Sequence, residues 1–310
     1  MLVNDDSFNE GLETTRLRLS NPSNGSALGQ QFSVTLEIED DAQESTNNPI
    51  ENASDFTIQH YHDFLNREPD EMGLAFWKGQ TANCGSPEPE VCRVNVSAAF
   101  FLSIELQQTG YFLERMYKAA FGDAPGVSTL GGAHQLSVPV VRLSEFLPDS
   151  QAVGRNVAVG LGDWERQLEA NKQAFALEFV QRQRFRDAFP STLTAGEFVA
   201  KLDRNAGGVL TESEKTNLIN FDPADESKRA QVLCAVAENA ALSKAESNRA
   251  FVLMQYFGYP RRDPDAALDV DHTGYDFWLR KLEQFGGDFL KAEMVKAFIS
   301  SDEYRKRFGQ

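Results

Sequence analysis

Apolar residues along the chain follow two different periods. From Gln31 to Ile38 they alternate, with Phe32, Val34, Leu36 and Ile38 on one face and Ser33, Thr35 and Glu37 on the other, which predicts a half-buried strand. Thr15 to Leu19 alternates similarly through Leu17 and Leu19, and the intervening Asn21-Pro22-Ser23-Asn24-Gly25 has the chemistry of a turn. Together they predict a β-hairpin. An isolated hairpin is marginal in water because it cannot bury its own apolar face, so partner strands are expected from elsewhere. Between Ala42 and Ser54 the period disappears among polar residues, as in a linker. Beyond it the spacing becomes helical, through Ile58, Tyr61 and Leu65, then Leu74 and Trp77, then Val96, Phe100 and Ile104, then Phe112, Met116 and Ala119. The expected fold class is mainly α: a helical repeat region preceded by a short β remnant of an antiparallel sandwich.

Part of the helical region occurs twice. Arg67-Glu68-Pro69-Asp70 followed by Gly73-Leu74-Ala75-Phe76-Trp77 recurs as Arg262-Asp263-Pro264-Asp265 followed by Gly274-Tyr275-Asp276-Phe277-Trp278. Downstream of each tryptophan comes Phe-x-x-Ser-x-Glu, at Phe100, Ser103 and Glu105 and again at Phe298, Ser301 and Glu303. Folding alone accounts for these residues. Proline disfavours helix at the residue before it, the aspartate can cap the next helix, and a Phe-Trp pair supplies a large apolar surface for burial. Arg67 and Arg262 are placed to pair with the nearby aspartates. A degenerate middle unit runs from Tyr117 to Phe189, with Trp164 in the tryptophan place and Phe179 and Phe185 in the closing helix. It lacks the acidic and serine positions, and its insertion from Gly122 to Gly162 carries no clear pattern. The expected organisation is a partial sandwich over 1–42, a linker over 43–54, and helical units over 55–121, 122–190 and 191–310.

A chain of 310 residues with 41% hydrophobic and 11% aromatic content can fill several cores. Its formal net charge of −16 argues against a nucleic-acid surface, because such affinity comes from basic side chains that release counterions. Divalent cations are the more natural partners. Nothing approaches the roughly 20 consecutive apolar residues of a membrane span, so no transmembrane segment is expected. Cys84 and Cys92 lie close together in a loop bearing Gly and Pro, which suits a local disulfide. Zinc is the competing reading, but no neighbouring His or Cys completes a ligand set. Cys234 reads as a small buried residue.

Acidic residues flank the predicted hairpin: Asp5, Asp6, Glu10 and Glu13 before it, Glu39, Asp40 and Asp41 after it. An antiparallel pair returns its far ends to one edge, so the clusters can converge on Ca²⁺, which takes about six to eight oxygen ligands. The alternative is a solvated acidic turn, which carboxylate runs usually are. Asn4-Asp5-Asp6, Glu10-Gly11-x-Glu13, Leu19-Ser20-Asn21-Pro22 and Ile38-Glu39-Asp40-Asp41 resemble the second half of a Calx-beta domain over residues 2–42. The resemblance implies a β-sandwich that binds calcium at one end through Asp5, Asp6, Glu10, Glu13, Asp40 and Asp41, with Glu39 where aspartate is commoner. The strands and ligands of the first half are missing, so the site is incomplete. Met1 to Asp6 also has neither the basic nor the apolar region of a signal peptide, and a fragment whose signal peptide is encoded upstream is expected.

The combined pattern of Tyr, Arg-x-Pro-Asp, Gly-x-x-Phe-Trp and Phe-x-x-Ser-x-Glu is similar to the bacterial domain-of-unknown-function family numbered 4214, over residues 55–121 and 246–309. That resemblance implies secreted or surface proteins, beside calcium-binding or adhesive modules, and no activity. The four histidines, His60, His62, His134 and His272, form no His-Glu-x-x-His, and no nucleophile elbow, phosphate loop or dinucleotide fingerprint is present. Asp269-Val270-Asp271-His272-Thr273-Gly274 opens like an EF-hand loop, but its twelfth position is Arg280, not Glu. Tyr259, Tyr275 and Phe285 are candidates for a sugar-binding surface, and burial explains them as well. The expected protein is a non-enzymatic, calcium-binding module of the cell exterior serving adhesion or matrix contact, with a glycan or a surface protein as partner. The rival is an accessory, glycan-binding region of a secreted carbohydrate-active enzyme.

Overall fold

The computed structural model describes residues 13–19, 29–38, 48–86 and 88–308. Strands β1 (Glu13–Arg18) and β2 (Ser33–Ile38) pair antiparallel with Leu17 opposite Val34 and Thr15 opposite Leu36. The alternation thus becomes the expected hairpin. Leu17, Val34 and Leu36 share one face and are exposed (47%, 51% and 39%). The acidic positions Asp5, Asp6, Glu10, Glu39, Asp40 and Asp41 lie outside the described residues, as does the Asn21–Gly25 turn. Of Glu13, only its place at the start of β1 is described.

The rest is mainly helical, as the spacing predicts. A 3-10 turn at Pro49–Glu51 and helix α1 (Ala53–His60) begin within the segment expected as linker, where the side chains of Asn48 and Asn52 accept hydrogen bonds from Ile50 N and Ser54 N. α1 runs through a π-helical turn at Tyr61–Leu65. Then follow α2 (Glu71–Ala82), α3 (Pro89–Phe101), α4 (Ile104–Gln108) and α5 (Gly110–Phe121). The second stretch holds α6 (Leu143–Gly154), α7 (Trp164–Gln181), α8 (Gln183–Ala188), α9 (Ala195–Asn205), α10 (Glu212–Leu218) and α11 (Glu226–Ala237). The last comprises α12 (Ala240–Gly258), α13 (Thr273–Gln284), α14 (Met294–Ile299) and α15 (Asp302–Arg305). Local chemistry sets many of these starts: Thr194 with Glu197, and Thr211 with Glu214, form reciprocal capping boxes.

One contiguous apolar core runs from Ile50 to Phe308. Helix α5 is buried from Gly110 to Ala120 and α12 from Ala250 to Gly258, so these two helices carry the centre on which the others pack. A second hairpin, β3 (Asp123–Ser128) with β4 (His134–Pro139), accounts for part of the unassigned insertion. It docks on the start of α13, where His272 N donates to Val127 O (2.8 Å) and Ser128 Oγ donates to Asp276 Oδ2 (2.7 Å). The insertion therefore braces the second copy of the motif.

Candidate functional site

The two motif copies share one set of contacts around the arginine. Arg67 Nε and Nη2 donate to Glu105 Oε1 and Oε2 at 2.7 and 2.9 Å, and Arg262 Nε and Nη2 donate to Glu303 Oε1 and Oε2 at 2.5 and 3.1 Å. Each guanidinium lies over a tyrosine ring, Tyr61 at 4.8 Å and Tyr256 at 5.4 Å. Each tyrosine hydroxyl closes on a motif glycine. A Cβ at Gly73 would fall 2.4 Å from Tyr61 Oη, and one at Gly274 would fall 2.5 Å from Tyr256 Oη, so a side chain at either position would force the tyrosine to move. Ser103 and Ser301 cap α4 and α15 by accepting from Leu106 N and Tyr304 N, both at 3.1 Å. The arginine is thus paired mainly with the glutamate of the closing element. The nearby aspartates are secondary partners: Asp70 is 3.9 Å from Arg67 and Asp269 is 2.8 Å from Arg262.

Two expectations about the motif need correction. Asp70 does cap α2 through Gly73 N at 2.9 Å, but a longer loop follows Asp265, and its carboxylate instead pairs with Arg142 at 2.7 Å. The Phe-Trp pair is also not buried as a unit. Adjacent positions on a helix diverge by about 100°, so Trp77 and Trp278 turn partly inward against Phe100 and Phe298 while Phe76 and Phe277 are 56% and 42% exposed.

The middle segment keeps the closing turn without its side chains. Arg182 N donates to Phe179 O at 3.1 Å, as Ser103 N does to Phe100 O (3.2 Å) and Ser301 N to Phe298 O (3.1 Å). Arg182 turns its side chain to Asp149, with Nη1 and Nη2 donating at 2.8 and 2.7 Å, and Tyr117 Oη donates to the same carboxylate at 2.8 Å. Trp164 opens α7, the helix that leads into this turn, so it is not in the place of Trp77 or Trp278. The preceding helix, α6, carries no tryptophan.

Beside the first motif copy lies a groove of about 370 Å³. Its floor is Tyr61, Trp77, Phe100 and the Arg67–Glu105 pair, and its rim is Met72, Ile104 and Leu161. The rim side chains are 71%, 55% and 41% exposed. Val159 to Leu161 come from the inserted segment, so the groove joins residues far apart in sequence. At the corresponding position of the second copy, Asp302 stands where Ile104 stands in the first.

Cys84 and Cys92 are joined as a disulfide, with Cα atoms 5.3 Å apart, and Cys234 is buried. Burial pushes the Cys234 thiol up to about 12, which keeps it a thiol. His60 is fully buried: Nδ1 donates to Phe56 O at 2.7 Å, and Nε2 accepts from Ser97 Oγ, which in turn accepts from Tyr259 Oη. Burial pushes this imidazole down to about 4, so it serves the core as a neutral ring. Tyr259 and Tyr275 are core residues at 0% exposure, which removes them from any sugar-binding surface; only Phe285 of that trio reaches solvent, at 37%. In the EF-hand-like segment the acids are used locally, Asp269 by Arg262 and Asp271 by Thr273 N. Among the described residues no group of three or more His, Cys, Asp or Glu is arranged to hold a metal ion, and no helix is long and apolar enough to cross a membrane. Between α5 and α12 lies a buried ion cluster in which Lys118 and Arg249 meet Asp123 at 2.7 and 2.6 Å and Arg249 meets Glu246 at 2.8 Å.

No protein-family model matches the chain, and neither a curated protein nor a solved structure matches it. The likenesses to Calx-beta and to family 4214 rest on the residues quoted for them.

Proposed function

We propose that the chain is a non-enzymatic interaction module of a secreted or surface-associated bacterial protein, and that it docks a protein of the cell envelope in the groove beside Trp77. The observation that carries this reading is the combination of a closed polar floor with an open apolar rim. Arg67 and Glu105 satisfy each other and Asp70, the other charged side chain on the lining, accepts from Gly73 N, so most of the groove's polarity is used locally, whereas Met72, Ile104 and Leu161 gather exposed apolar surface around a concavity. Scattered exposed apolar residues are ordinary, but a cluster around a groove is the usual mark of an interaction site. The Cys84–Cys92 bond supports an oxidising compartment. Calcium belongs to the same proposal through the Calx-beta likeness of residues 1–42, with Asp5, Asp6, Glu10, Glu13, Glu39, Asp40 and Asp41 as its ligands.

Co-sedimentation of the purified chain with bacterial envelope fragments tests the docking. Retention should fall about tenfold or more in the Met72→Lys/Ile104→Lys variant, the scale of losing a central interface anchor, with an unchanged melting temperature. Protease treatment of the fragments should remove the binding as well. Equal retention of wild type and variant, or retention that survives the protease, overturns the reading.

A further inference from the structure

A second groove, of about 400 Å³, lies between α4–α5, the start of α12 and the Gly286–Gly287 turn after α13. Its volume falls within the range of about 300–1,000 Å³ usual for small-ligand sites. The chain has 46 Asp and Glu and a net charge of −16, yet none of the residues lining this groove is acidic. Among the described lining residues Arg115 alone carries a full charge at neutral pH.

Arg115 is only 8% exposed. Its Nε donates to Ala237 O at 2.7 Å, and among the described residues its other two nitrogens make no hydrogen bond and no carboxylate lies within ion-pair distance. A guanidinium stays charged under all ordinary conditions, and buried charges are normally paired. Glu114 and Glu238 act on it only from beyond ion-pair distance, and a guanidinium with no direct carboxylate partner that lines a cavity is a ready-made anion partner. The surrounding groups have a different character. Ser243 and Asn248 bring a hydroxyl and an amide without side-chain hydrogen bonds, Gln107 adds a second amide at the rim, and Tyr111 and the stacked Phe251–Phe289 pair (5.6 Å, 28°) supply aromatic surface. Hydroxyls and amides interleaved with aromatic rings match the alternating hydroxyl and C–H surfaces of a sugar. A flexible acidic peptide would not need the aromatic surface.

We infer that this groove binds a carboxylate-bearing sugar, a hexuronate unit of an acidic glycan, with Arg115 pairing the carboxylate and Ser243, Asn248 and Gln107 taking hydroxyls. The site is separate from the groove beside Trp77 and stands or falls independently of it.

The test is titration of the full chain, followed by NMR or calorimetry, with sodium glucuronate or galacturonate, with glucose or galactose, and with a short acidic peptide. The uronates should bind about tenfold or more tighter than the neutral sugars, the scale of a charge-assisted hydrogen-bonded pair, and should weaken with added salt. Arg115→Met should abolish that preference. Should Arg115→Met lose its fold, Asn248→Asp tests the same point from the lining, because a carboxylate added to the same groove should repel the ligand's own and weaken uronate binding more than neutral-sugar binding. Equal binding of acidic and neutral sugars, tighter binding of the peptide, no uronate binding at tens of millimolar, or full uronate affinity in a folded variant would each overturn the inference.

Discussion

The paired arginine–glutamate contacts allow a comparison inside one molecule. Glu105 is 7% exposed and Arg67 22%, and Glu105→Gln removes the guanidinium's main partner, leaving Asp70 at 3.9 Å. Breaking a fully buried ion pair on one side costs about 3–5 kcal/mol. Arg67 is partly solvated and recovers some hydration, which lowers the expected cost to about 2–3 kcal/mol. In the second copy Glu303 is 32% exposed, and Arg262 keeps Asp269 at 2.8 Å when Glu303 is neutralised. Glu303→Gln should therefore cost only about 1 kcal/mol or less. Urea unfolding of both variants, followed by far-UV circular dichroism and compared at unchanged m-values, measures the difference directly. The prediction is a gap of about 1–3 kcal/mol with Glu105→Gln the weaker protein. If Glu303→Gln costs as much or more, burial and the second aspartate do not govern these pairs and the reasoning is wrong.

Glu114 is 2% exposed, its Oε2 has no hydrogen-bond partner among the described residues, and burial together with the neighbouring Glu246 pushes its carboxyl up to about 8 from an ordinary value of 4.5. A folded-state value above the unfolded one gives a contribution that is full below 4.5 and is lost as pH rises through about 8. Stability should decline over that window, and Glu114→Gln should flatten the slope; a variant with the wild-type pH profile would reject the assignment. Trp278→Ala should destabilise by about 2–3 kcal/mol, below the range for full burial, against about 0.5–1 kcal/mol for Phe277→Ala. Thermal or urea unfolding that reverses this order would place the tryptophan, not the phenylalanine, at the surface. Millimolar calcium should raise the melting temperature and Asp40→Ala should abolish the rise, whereas a melting curve indifferent to calcium would detach the ion from residues 1–42.

Much of the architecture follows from local pattern. The alternation through Val34 and Leu36 and the helical spacing through Phe112, Met116 and Ala119 appear as a strand and a buried helix, because period and burial point the same way there. The insertion was opaque for physical reasons. Pro125, Gly126 and Pro139 occupy strand positions and Pro148 lies inside α6, so each element contradicts its own propensities and is held by docking on α5, α7 and α13. The Arg67–Glu105 and Arg262–Glu303 pairs do leave a signal in the sequence, opposite charges recurring at matched places in both motif copies, but each arginine also has aspartates nearer along the chain, and spacing alone favours the nearer partner. The groove beside Trp77 could not be read, since its rim joins Met72 and Ile104 to Leu161 of the insertion. Equally, the unpaired state of Arg115 depends on which acids the fold carries away from it, and spacing along the chain does not encode that.

Hydrogen–deuterium exchange of the chain with and without envelope fragments tests the docking proposal most directly. Protection on binding should concentrate in Tyr61 to Trp77, Ala99 to Glu105 and Val159 to Leu161, and should vanish in the Met72→Lys/Ile104→Lys variant. Binding accompanied by protection elsewhere, with these three segments unchanged, would contradict the account.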